Sequence, residues 1–136
     1  MKHILFNRQF VNAAETDLVA GKIHTIRENY GYWEMHEGQE VALAYWMGKP
    51  YHSNQKVFCT KKIISVEKII KMSDPGGTPF FRIADRHPLD HNAGIHKPTL
   101  AKNDGFQHYC ELEDWFREYP NQPLAVIHFT DFKYAA

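Results

Sequence analysis

Gly38-Gln39-Glu40-Val41-Ala42-Leu43-Ala44-Tyr45-Trp46-Met47 decides the fold class. Val41, Leu43, Tyr45 and Met47 fall on one face and Glu40, Ala42, Ala44 and Trp46 on the other, the period of two that a half-buried strand requires. Gly48 and Pro50 end it. Downstream, Val57 to Thr60 and Ile63 to Ile70 repeat the β-branched alternation, as one long bent strand or as two parted by a bulge or turn at Lys61-Lys62. Upstream, Ile4, Leu5 and Phe6 predict a short buried strand, and Ile23 to Arg27 a second, entered from a turn at Gly21. Leu124 to Phe132 predicts the last strand.

A helical period occurs twice. Phe10, Val11, Ala14 and Leu18 recur on one helical face, with Asn7 placed to cap the helix and Gly21 to end it. Leu112, Trp115, Phe116 and Tyr119 do the same before Pro120. Residues 28 to 37 form an aromatic-rich loop. Residues 72 to 103, broken by Asp74, Pro75, Gly76, Gly77, Pro79, Pro88, Gly94 and Pro98, are the longest loop or insert, with a short ordered piece at Phe80, Phe81 and Ile83. The order of elements predicts an α+β fold, a small bent sheet or barrel flanked by two or more helices, with too few crossover helices for a doubly wound parallel sheet.

With 136 residues, 43% hydrophobic and 14% aromatic, the chain fits a single globular domain over 1–136 and not a disordered tail. Sixteen Lys and Arg balance sixteen Asp and Glu, so any nucleic-acid binding has to come from a local patch. Lys49, Lys56, Lys61, Lys62, Lys68 and Lys71 read first as a solvated strand face and second as such a patch. Cys59 and Cys110 are too few for a disulfide framework and read as buried small apolar residues; with no secretory run at the start, the expected location is cytoplasmic. No stretch reaches the roughly 20 apolar residues that cross a bilayer, so a membrane partner is not expected. His87, Asp90, His91 and His96 match no zinc spacing and read as surface histidines, which leaves no metal and no cofactor expected.

Gly21-Lys22-Ile23-His24-Thr25-Ile26-Arg27 places a turn glycine, a cation, a hydroxyl and a second cation in one short run. In a regular strand Lys22 and Thr25 point to opposite faces, so they converge only if Lys22 sits in the turn or the strand is bulged. The alternative is an ordinary strand with solvated Lys22 and Arg27.

Leu18-Val19-Ala20-Gly21-Lys22-x-x-Thr25-Ile26-Arg27, Gly38-Gln39-x-Val41-x-Leu43, Asp104-Gly105-Phe106 shortly before Glu111-Leu112, and Ala125-Val126-Ile127-x-Phe129 together resemble an ASCH domain, over about residues 3 to 134. The resemblance implies a PUA-like β-barrel that binds RNA or its components. The small bacterial members that this chain resembles include amidohydrolases that remove the acetyl group from N4-acetylcytidine with a lysine, a threonine and a glutamate. Carried onto this sequence, their Lys-x-x-Thr motif falls on Lys22 and Thr25, and Asp104 stands where they have glutamate, with Glu111 and Glu113 as alternatives. Thr25 then attacks the acyl carbonyl, a desolvated Lys22 takes its proton, and Asp104 protonates the departing nitrogen. Arg27, Tyr30, Trp33 and Glu111 are the expected ligand contacts; Tyr45, Trp46 and Tyr51 are further stacking candidates or core residues. The partner implied is a modified nucleoside or single-stranded RNA. A non-catalytic RNA-binding module and a ribonuclease remain open alternatives, as does the oligomeric state.

Overall fold

The computed structural model describes residues 1–87, 90 and 92–135. In chain order the elements are β1 (Lys2–Leu5), one 3-10 turn (Arg8–Phe10), β2 (His24–Arg27), α1 (Tyr30–Glu34), β3 (Glu40–Trp46), β4 (Gln55–Lys62), β5 (Ser65–Ser73), β6 (Pro79–Ile83), α2 (Lys97–Asn103), α3 (Tyr109–Phe116) and β7 (Gln122–His128). The fold is α+β. Its strands pair as two sheets, β1-β3-β4 and β2-β7-β5-β6, and the pairing does not close a barrel. β1 runs parallel to β3; the other pairs are antiparallel.

Alternation does place β3, but both of its faces are buried: Ala42 and Ala44 are as covered as Val41, Leu43 and Tyr45, while Met47 lies past the strand end and is exposed. The segment 57 to 70 is two strands, and the break falls at Ile63-Ile64 rather than at Lys61-Lys62. There the chain changes sheets. Ile63 N–H still bonds to Gln39 O at 2.9 Å, whereas Ile64 N–H bonds to His128 O at 2.9 Å. The pairing slip lies earlier, where Leu43 faces Cys59 but Ala44 faces Val57, leaving Phe58 as the extra residue.

The helix expected from Phe10 to Leu18 does not form. Asn12 Oδ1 accepts from Thr16 N–H at 2.9 Å and Asp17 N–H at 3.2 Å, Glu15 is left-handed at φ 56°, and Val11 pairs with Leu18 across the loop. Local side-chain acceptors thus outcompete the helical bonds. Asn7 does cap, but only the 3-10 turn, accepting from Gln9 N–H at 3.1 Å.

The 72 to 103 segment holds more structure than its glycines and prolines suggest. β6 pairs with β5, and α2 carries Pro98 in its first turn, where a missing N–H does no harm. Phe81 on β6 meets Phe116 on α3 edge to face, with centroids 5.5 Å apart, which clamps α3 onto the four-stranded sheet.

The expectations for Lys71 and for both cysteines are corrected. Lys71 is not solvated: it is 1% exposed, and its ammonium donates to Tyr119 O at 2.7 Å, Ser73 Oγ at 3.0 Å and Asn121 Oδ1 at 3.3 Å. Three oxygens replace its water. Cys110 is exposed and Cys59 half-buried, so neither is a core residue. Among the described residues, no helix is long and apolar enough to cross a membrane.

Candidate functional site

A cavity of about 120 Å³ opens where the two sheets fail to pair, between the end of β1 and the edge strand β2. Leu5, Phe6 and Asn7 form one wall, and Thr25, Ile26 and Arg27 the opposite one. Asp104, from the turn between α2 and α3, and Trp115 and Tyr119 close a third side. Arg27 spans the seam: its Nη2 donates to Leu5 O at 2.6 Å and its Nε to Thr25 Oγ1 at 3.2 Å. Thr25 and Arg27 share a strand face because they are two residues apart.

Lys22 reaches this cavity because it precedes β2. Gly21, at φ +88°, turns the chain, Lys22 N–H bonds to Val19 O at 3.1 Å, and regular pairing begins only at His24. The strand's alternation therefore does not separate Lys22 from Thr25. Its ammonium donates to the Asp104 carbonyl at 2.6 Å and to Asp104 Oδ1 at 3.1 Å, and lies 4.5 Å from the centre of the Phe10 ring. Burial pulls the Lys22 amine below the ordinary lysine range; the Asp104 carboxylate opposes this and Arg27 adds to it.

Gly105 lets these groups meet. It is left-handed at φ +93°, and a Cβ there would sit 2.9 Å from Lys22 Cδ and 3.1 Å from Phe10 Cδ1. Gly105→Ala is expected to destabilise the fold by about 1–3 kcal/mol, read by urea denaturation, because the backbone strain adds to a buried clash. A loss near zero would mean that Lys22 has room to move aside.

Lys22, Thr25, Asp104 and Arg27 thus line one cavity, although the first and third are 82 residues apart. Among the described residues Lys22 Nζ and Thr25 Oγ1 share no hydrogen bond; the amine is held by Asp104 and the hydroxyl by Arg27. The other expected contacts lie elsewhere. Tyr30 bonds to Glu34 on α1 and lines a separate recess with Glu67 and Lys68; its phenol is raised to about 12, chiefly by that bond to Glu34. Trp33 packs with Tyr32 and His36. Glu111 is exposed on the first turn of α3, and Glu113 pairs with Lys97. Tyr45 is core, bonded to Glu15, and Trp46 meets Tyr51 at the β3–β4 hairpin.

Sequence reasoning missed the groups behind Asp104. His24 is fully buried; its Nδ1 lies 3.2 Å from Asp104 Oδ1 and its Nε2 2.6 Å from the Tyr134 hydroxyl. A carboxylate oxygen only accepts, so in the neutral ring Nδ1 carries the proton and Nε2 accepts from the Tyr134 hydroxyl, whose oxygen in turn accepts from Asn103 Nδ2 at 3.2 Å. Burial holds His24 below its ordinary range, against the opposing hydrogen bond and charge of Asp104. Next to it stands His128, 5.4 Å ring to ring, whose Nε2 meets Glu67 Oε1 at 2.5 Å. Glu67 also accepts from the Tyr134 and Ala135 N–H groups at 2.8 and 2.9 Å, fastening the C-terminal segment. Burial pushes the Glu67 carboxyl up, but these donors outweigh it and hold the group below its ordinary range.

Among the described residues no three His, Cys, Asp or Glu side chains are placed to hold a metal ion; His91 lies outside them, and His96 bonds to Thr99 at the start of α2. Compared with models of known protein families, with curated proteins and with solved structures, the chain finds no match in any of the three.

Proposed function

We propose that this chain is an ASCH-type, PUA-like domain whose cavity binds a nucleoside or RNA base and hydrolyses the amide of an N4-acylated cytidine. What carries this reading is the meeting of Lys22, Thr25 and Asp104 at one small cavity. Its volume suits an acetyl group and the edge of a base, with the sugar toward the open side. Lys22 acts in its neutral amine form, reached when its ammonium gives up a proton to solvent: turned from the Asp104 carbonyl, it accepts the Thr25 hydroxyl proton as Oγ attacks the acyl carbon. The C–N bond then breaks and the cytidine nitrogen takes a proton from the Lys22–Asp104 pair. Water releases the acid from Thr25. Arg27, donating toward Thr25 Oγ1, favours negative charge there.

One observation favours a second reading, a non-catalytic RNA-binding module. Lys22 is engaged by Asp104 and Thr25 by Arg27, as in a purely structural network. Incubation with N4-acetylcytidine separates the two. The hydrolase reading expects conversion to cytidine that falls at least about a hundredfold in Thr25→Ala and Lys22→Ala and is largely kept in Thr25→Ser. Absence of turnover, with RNA binding that weakens steeply as salt rises, establishes the module instead.

A further inference from the structure

We propose that His24 is a positioning residue of this cavity: its Nδ1–H competes with Lys22 for Asp104 Oδ1, weakens the carboxylate's hold on the ammonium, and so frees the amine to exchange a proton with Thr25. The geometry puts both donors on one acceptor. Lys22 Nζ at 3.1 Å and His24 Nδ1 at 3.2 Å converge on the same carboxylate oxygen. An acceptor shared by two donors binds each less strongly than it would bind either alone.

The imidazole is held from both sides. Asp104 Oδ1 can only accept, so the ring presents N–H to it, and the Tyr134 hydroxyl then donates to Nε2. The C-terminal segment that Glu67 fastens is thereby part of the site. The charged and titratable groups around the pair are few. Lys22 faces Asp104 of the α2–α3 turn and Arg27 of β2; His24 faces Asp104, Lys22, His128 of β7 and Tyr134, with Glu67 of β5 behind His128.

The purpose assigned to His24 rests on the hydrolase reading, but its test needs no substrate. His24→Asn keeps an amide N–H near the position of Nδ1 and gives up the reach to Tyr134; His24→Gln keeps that reach and withdraws from Asp104. Titration of the Lys22 amine by nitrogen-15 NMR is expected to shift upward by about one unit in His24→Gln and to stay near wild type in His24→Asn. Equal behaviour of the two variants, or an unmoved amine in His24→Gln, overturns the proposal. Should neither variant fold, the imidazole nitrogen shifts of the wild-type protein decide: a proton on Nδ1 at neutral pH supports it, and one on Nε2 or on both nitrogens overturns it. Failure to deacylate N4-acetylcytidine with the expected titration overturns the hydrolase reading alone.

Discussion

Asp104→Ala is expected to lower the free energy of unfolding by about 3–5 kcal/mol, because it leaves a buried ammonium facing no counter-charge. The side chains of Lys22 and Asp104 are 2% and 7% exposed, so bulk solvent screens the pair little. The Asp104 carbonyl still accepts from Lys22 but carries no charge. His24 Nδ1–H loses its acceptor as well, adding about 1–3 kcal/mol if nothing relaxes. Urea denaturation of Asp104→Ala beside the double variant Lys22→Met with Asp104→Leu checks the cause. The double variant removes both charges and is expected to lose much less, since an apolar pair avoids the desolvation that the ions suffer. Equal losses in the two would mean that packing, and not charge, holds the turn between α2 and α3.

Phe116→Ala is expected to produce a loss of similar size, about 3–5 kcal/mol, through a cavity in the core. Phe116 is 1% exposed and lies between Phe81 on β6 and Tyr119, at centroid distances of 5.5 and 4.8 Å. The same contact positions one side of the cavity, because Trp115 and Tyr119 flank it in sequence and line the site. Phe116→Leu keeps most of the volume and is expected to lose less than about 1.5 kcal/mol. Denaturation midpoints for the pair, with emission of Trp115 read in a Trp33→Phe, Trp46→Phe background, check both points.

The strands were legible because alternation is a local signal: Val41 to Tyr45, Ile69 and Leu124 to Ile127 are all core positions. Periodicity failed where a side chain supplies bonds that a helix would otherwise make, as Asn12 does between Phe10 and Leu18. The breaker signal misleads at Pro98, because a proline in the first turn of a helix, as in α2, lacks no needed bond. Lys22, Thr25 and Asp104, which the resemblance picks out, share a cavity, whereas Tyr30 and Trp33, candidates as aromatics of one loop, and Glu111, the alternative carboxylate, lie elsewhere. His24 sat within the motif but gave no sign of its partners. Its contact with Tyr134 joins residues 110 apart, and no spacing rule reaches that far.

The pairing of β2 with β7 has a consequence in time. Among the described residues β2 has no other strand neighbour, so His24 to Arg27 wait, during synthesis, for residues 122 to 128 to emerge. Contacts of such long sequence separation form slowly, and the nascent chain holds its motif unassembled until β7 has emerged. The pocket is thus a late event in the life of each molecule.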